Sequence, residues 1–106
     1  MKTQRPKGWH KFKAKPVNID GWNFPSTKEG EYYNELKLKQ DAGLVVFFLR
    51  QVPIHLPGNV KMVVDFLEFH TDGTCHFVDV KGKRTKQYID KKKMVEALYP
   101  IEIEEV

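Results

Sequence analysis

Apolar and polar positions fall along this chain in blocks of different period. In "TKEGEYYNELKLKQDA", Glu29, Tyr32, Tyr33 and Leu36 return at steps of three, four and seven while Glu31 and Glu35 point away. That spacing predicts a helix from Thr27 to Ala42 with one face inward, stopped by Gly43. "LVVFFLRQVPIHL" is instead a β-branched and aromatic run bounded by Gly43 and Pro57-Gly58, predicted as one or two strands interrupted at Pro53. "VKMVVDFLEFH" and "TCHFVDVK" read as two further strands joined by a Thr71-Asp72-Gly73 turn. Helical spacing resumes from Thr85 to Leu98 with Tyr88, Val95, Leu98 and Tyr99, and Pro100 ends it. The closing "IEIEEV" alternates, Ile101 and Ile103 inward, Glu102 and Glu104 outward.

The order helix, strands, helix, strand places the chain in the α/β class, with a central mixed β-sheet flanked by helices. Residues 1–18 show no apolar period and carry Pro6 and Pro16, so they are expected to be a basic arm; residues 19–106 form the domain, opening on an extended piece with an Asp20-Gly21 turn. Trp9 and Phe12 in the arm suit either stacking on bases or pinning the arm to the domain.

Charge changes this picture. Six of the 18 basic residues lie in the first fifteen positions with no acid among them, leaving twelve bases against 14 acids in the remainder. A second basic cluster, Lys81, Lys83, Arg84, Lys86, Lys91, Lys92 and Lys93, is opposed locally only by Asp90. Two such patches point to a polyanionic partner, nucleic acid ahead of acidic lipid because no amphipathic anchor accompanies them. Lys11, Lys13, Lys15, Lys83, Arg84, Lys86, Lys91 and Lys92 are the candidate phosphate contacts. No apolar run approaches the length of a membrane span, and the basic N-terminus has no hydrophobic stretch after it, so neither secretion nor membrane insertion is expected. Cys75 is the only cysteine, which fits a reducing, cytoplasmic setting, and the four histidines lack the close spacing of a metal motif.

The informative chemistry is acidic. Asp65 sits between Val64 and Phe66 in a strand that should hold no acid without a reason. With the turn centred on Asp72, Asp79 lies the same seven residues beyond it as Asp65 lies before it. Antiparallel pairing then sets the two carboxylates about 5 Å apart at Cβ, where they repel unless a cation lies between them. Glu29 is on the inward helix face, and Ser26-x-x-Glu29 also has the form of a capping box, so cap and ligand remain equal alternatives. Carboxylates from two strands and a helix end make a hard oxygen site suited to Mg²⁺ or Mn²⁺, whose bound water can attack a phosphodiester. Lys81 shares a strand face with Asp79 and would orient the attacking water or steady the developing charge. Asp65, Asp79 and Lys81 are expected at one edge of the sheet. Gln51, after the first long strand, suits the same pocket or open water, and Tyr88 shares a helix stripe with Lys92.

Asp65 followed by Asp79-Val80-Lys81, preceded by a helix bearing Glu29 and followed by a helix and strand, resembles the PD-(D/E)xK nuclease superfamily. "FPSTKEGEYYNELK", "VVDF", "VDVKG", "TKQYIDKKK" and "IEIEEV" look more closely like a family of small, mostly phage-encoded members, over roughly residues 18–106. The resemblance implies a restriction-endonuclease-like core. It implies metal ligation by Asp65, Asp79, Glu29 and the Val80 backbone carbonyl, with catalytic assistance from Lys81. Val64 stands where the superfamily name has proline. The expected activity is a Mg²⁺-dependent endonuclease cutting DNA, selective for Holliday junctions or other branched forms, in a phage or bacterial host cell. A homodimer would supply two related active sites for two strands. The alternative is a nucleic-acid-binding protein without catalysis, working through its basic arm and helix.

Overall fold

The computed structural model describes residues 15–106. Its elements are β1 (Val17–Ile19), β2 (Trp22–Phe24), α1 (Thr27–Asp41), β3 (Val45–Leu56), β4 (Val60–His70), β5 (Cys75–Asp79), α2 (Lys86–Leu98) and β6 (Ile103–Glu105). β1 and β2 make a small antiparallel hairpin, and the other strands form one sheet in the order β3-β4-β5-β6. Within that sheet β5 and β6 are parallel and the other pairs antiparallel, so the chain is α/β with a mixed sheet. Asp20 and Gly21 both have positive φ, +56° and +82°, which is what a two-residue hairpin turn demands. The extended piece expected there is thus a paired hairpin that brings Val17, Ile19 and Phe24 onto the core.

The first helix has the ends its sequence calls for. Ser26 is the N-cap, its hydroxyl accepting from the Glu29 N–H at 3.1 Å. At the other end Gly43, with φ +80°, donates to the Gln40 carbonyl and Leu44 to that of Lys39, a Schellman closure. α2 is capped by Thr85, whose hydroxyl accepts from the Tyr88 N–H. No helix among the described residues is long and apolar enough to cross a membrane.

Three expectations are corrected. β3 runs unbroken through Pro53, which faces Val63; as an outer strand it can carry a proline without losing a needed ladder donor. Gln51 lies within β3 and not after it, with φ +53°, while the register shift of the strand falls between Val45 and Phe47. The closing strand is only Ile103–Glu105, and Ile101 packs against the core from outside it.

Two cores flank the sheet. Phe24, Tyr33, Leu36, Val45, Phe66 and Val78 form one under α1; Ile54, Leu56, Met62, Val64, Val95 and Ile103 form the other under α2. Met62, Val64 and Phe66 have the same parity along β4, yet the first two serve the α2 core and the third the α1 core. One row of side chains therefore passes from one helix to the other at Asp65. Opposite it in the register, between the pairs Arg50 with Phe66 and Val52 with Val64, stands Gln51. The change of core along β4 and the positive φ of Gln51 fall at the same place in the sheet, and Asp65 stands there.

Gly30 explains how α1 sits so close to the hairpin. A Cβ there would meet Val17 Cγ2 at 2.7 Å and Ile19 Cδ1 at 3.0 Å. Gly30→Ala gains about 1 kcal/mol of helix propensity. Overpacking against the stiff Val17 side chain costs about 1–3 kcal/mol, so a net loss of about 1 kcal/mol is expected, read as a lower urea midpoint. A rise in the midpoint would show that the hairpin yields freely.

Candidate functional site

Asp65 and Asp79 are brought together by the register. Phe66 pairs with Val78, Leu67 with Phe77 and Glu68 with His76, so the next pair along would be Asp65 with Asp79. The ladder stops one step short of it. In place of strand-to-strand bonds, the Asp65 N–H donates to Asp79 Oδ1 at 2.8 Å and the Val80 N–H donates to Asp65 Oδ2 at 2.9 Å. Each acid thus satisfies a backbone donor freed by the parting strands. Asp79 is 1% exposed, and its Oδ2 is buried with no hydrogen-bond partner. The pair lies on β4 and β5, interior strands, and not at a sheet edge as expected; the gap arises within the sheet, where the two strands diverge.

Glu29 approaches from the first turn of α1. Its backbone N–H serves the Ser26 cap, but its carboxylate accepts from Gln51 Nε2 at 3.3 Å. Helix start and strand bend thus aim Glu29 toward the acids, leaving the glutamate half of the capping box unformed. Glu29 is 3% exposed, and burial, reinforced by the charge of Asp65, pushes its carboxyl up from 4.5 to about 7. Arg50 and Lys81 pull in the opposite direction. Burial raises Asp65 and Asp79 as well, partly offset at each by the backbone hydrogen bond between them and their neighbours.

Lys81 lies two residues beyond Asp79, its ammonium 4.2 Å from the centre of the Tyr88 ring. Its backbone is fixed on both sides: the N–H donates to the Val106 carbonyl, and its carbonyl accepts from Lys28 Nζ at 2.8 Å. Tyr88 in turn donates to Glu105. A cleft of about 360 Å³ runs between Glu29, Asp65, Val80 and Lys81, with Lys28 and Lys83 on its wall. Carboxylates, a backbone turn and flanking lysines in one opening suit a divalent cation facing a phosphate.

Among the described residues no three His, Cys, Asp or Glu side chains are gathered tightly enough to hold a metal by themselves. The buried Asp79 Oδ2 has no hydrogen-bond partner, and the charges of Asp65 and Asp79 both raise the Glu29 carboxyl, a set of acids that a cation would relieve. Mg²⁺ takes few protein ligands and keeps several waters, so the two aspartates, Glu29 and the Val80 backbone fit it.

The basic cluster is more compensated than its sequence suggests. Arg84 pairs with Glu105 at 3.3 Å, Lys86 with Asp90 at 2.8 Å, and Lys92 with both Glu96 and Glu105. Asp90 is therefore not its only opponent, because the parallel return of β6 carries Glu105 beside the helix. Lys91 donates to the Lys61 carbonyl, while Lys15 and Lys83 are exposed. Lys11 and Lys13, with Trp9 and Phe12, lie outside the described residues.

Two features were not foreseen from the sequence. Glu68, 2% exposed and three residues along β4 from Asp65, faces the other side of the strand, where it accepts from the Tyr32 hydroxyl and bonds to His70 Nε2. An acid in an apolar run was its signal. Arg50, beside Gln51, stacks its guanidinium 4.3 Å from the Phe24 ring centre and buries an Nε without a partner; nothing in "FFLRQV" announced that.

With this geometry established, comparison with known proteins adds one relation. Residues 9–104 match the model of a family described as a protein of unknown function, DUF1064, so the match takes in part of the basic arm. No curated protein and no solved structure matches the chain.

Proposed function

We propose that this chain, which belongs to the DUF1064 family, is a divalent-metal-dependent endonuclease that hydrolyses DNA phosphodiester bonds from a restriction-endonuclease-like core. The observation that carries the reading is the break in the β4–β5 ladder, where Asp65 and Asp79 each hold a backbone N–H and Asp79 still presents a buried, unpartnered oxygen. The bound ion would supply Lewis-acid activation of water and charge neutralisation at the scissile phosphate.

The chain's own residues account for the rest. Asp65 and Asp79 present carboxylate oxygens from interior strands, so their positions are set by the sheet. Glu29, steadied by Gln51, is placed to accept a proton or to complete the ligand set. Lys81, held against Tyr88 next to the acids, brings a positive charge to the phosphate oxygens. Lys28 and Lys83 line the approach, where they would contact flanking phosphates.

The test is incubation of the purified full chain with supercoiled plasmid, linear duplex, single strand and four-way junction, in Mg²⁺, Mn²⁺ or EDTA. Cleavage of at least one substrate with either metal and none in EDTA is expected. Salt-dependent binding with no cleavage under any of these conditions would instead assign a purely binding role to the basic surfaces.

A further inference from the structure

A groove of about 540 Å³ lies along the free edge of β3, lined by Trp22, Tyr33, Phe47, Phe48, Leu49 and Arg50, with Gln51 at its end. Its walls are unlike an ordinary surface: Trp22 is 54% exposed, Phe47 44% and Leu49 46%. Between them Arg50 lies over two rings, 5.1 Å from the centre of Trp22 and 4.3 Å from that of Phe24. Its Nε is buried without a hydrogen-bond partner, and its guanidinium forms no ion pair with any described residue. The buried Nε is closed to solvent, so it is the half-exposed rest of the guanidinium, without an ion-pair partner, that can receive an anion from outside.

The groove and the acidic cleft share no lining residue, but one hydrogen bond links their walls. Gln51, at its end, hydrogen-bonds Glu29, and the charge of Arg50 reaches both Glu29 and Asp65. An occupant of the groove would therefore lie against Gln51, one side chain away from Glu29 and the acidic cleft. Phe47 stacks one face on Phe69 and Trp22 carries Arg50 on one side, yet both rings stay about half exposed; aromatic surface beside a guanidinium without an ion pair matches one ligand chemistry, a nucleotide, whose base offers a flat face and whose phosphate offers acceptor oxygens. A base inside a duplex has both faces covered by its neighbours and cannot enter such a groove.

We infer that the Trp22–Arg50 groove binds an unpaired DNA nucleotide beside the scissile phosphate, stacking the base on Trp22 and Phe47 and pairing its phosphate with Arg50. This rests on the endonuclease reading and narrows its substrate to DNA with an unpaired base near the cut. A single strand and the branch point of a junction both supply one.

Fluorescence anisotropy of labelled oligonucleotides in EDTA, where no cleavage occurs, tests the groove independently of catalysis. The probes are a single-stranded oligodeoxythymidine, a four-way junction and a blunt duplex, with the full chain and its Trp22→Ala, Trp22→Phe and Arg50→Gln variants. Trp22→Ala should weaken single-strand binding about tenfold and leave duplex binding within about twofold, while Trp22→Phe keeps most of the affinity. Junction binding weakened in step marks the branch as a second source of the unpaired base; unchanged junction binding restricts the groove to single strands. Arg50→Gln should follow Trp22→Ala and flatten the salt dependence on the single strand. Unchanged affinities, or equal losses on all three probes, would overturn the inference even if Mg²⁺-dependent cleavage is intact. So would a Trp22→Ala effect that appears only as loss of a self-associated species in sedimentation, which would make the groove a contact between two copies. If the nuclease reading fails, cleavage is absent while the preference for unpaired bases persists.

Discussion

Asp79→Asn is expected to abolish metal-dependent cleavage while leaving the protein at least as stable as before. Asparagine keeps an oxygen where Asp79 Oδ1 accepts the Asp65 N–H, so the bridge across the parted strands survives. What disappears is the negative charge on a side chain that is 1% exposed and whose other oxygen has no partner. A catalytic metal is worth several kcal/mol, and each 1.36 kcal/mol is tenfold, so cleavage should fall by about 10³ or more. The urea midpoint should hold or rise, because Asp65 and Glu29 lose a like-charged neighbour. Asp79→Ala separates the two effects: it also silences cleavage but strands a buried N–H, at about 1–3 kcal/mol of stability. Cleavage by Asp79→Asn within about tenfold of the parent would reject Asp79 as a metal ligand.

Metal-free protein should also lose stability as pH rises from about 4.5 to 7, the reverse of ordinary acid denaturation. The carboxyl of Glu29 is raised on folding from 4.5 to about 7, so between those values the folded chain binds more protons than the unfolded chain. Stability is then full below the lower value and declines until the folded carboxyl has ionised. At 1.36 kcal/mol per unit the loss is about 3 kcal/mol above pH 7, and the raised Asp65 and Asp79 act in the same direction. Denaturation in urea at pH 5 and pH 8 with EDTA measures it. Glu29→Gln should flatten the profile, and Mg²⁺ at pH 8 should recover most of the loss by neutralising the acids. A Glu29→Gln slope equal to the parent's would place the proton uptake elsewhere.

Much of the fold was legible because it rests on local rules. Ser26, Gly43, Thr85 and the Asp20-Gly21 turn mark element ends by capping and positive φ, which depend on neighbours in sequence alone. The register that faces Asp65 with Asp79 followed from the position of one tight turn. The rest depends on distant packing. Pro53 reads as a break, but whether it breaks a strand depends on which strand lies outermost, and that is a property of the sheet order. The passage of one row of side chains from the α1 core to the α2 core at Asp65 cannot be seen in a pattern that assumes strict alternation. The sequence leaves Glu29 equally a cap and a ligand, because Gln51, from which its carboxylate accepts, lies 22 positions along the chain. Arg50 carried no signal, since its meaning comes from Trp22 and Phe24 on a separate hairpin.

The carboxylates that close the gap between β4 and β5 bear on how family descent can be read. Asp65 and Asp79 accept the N–H groups of Val80 and Asp65, so selection for a folded domain alone would retain an acceptor at both places after catalysis was lost. Aspartate or asparagine at these positions in a related chain would therefore be poor evidence for the proposed cleavage activity. The Lys81 side chain supports no backbone donor: its ammonium rests on the Tyr88 ring and can drift to other residues at little structural cost. If the proposed endonuclease activity holds, retention of a lysine at the position of Lys81 would separate working copies from decayed ones among descendants of one ancestor, and its loss would come first.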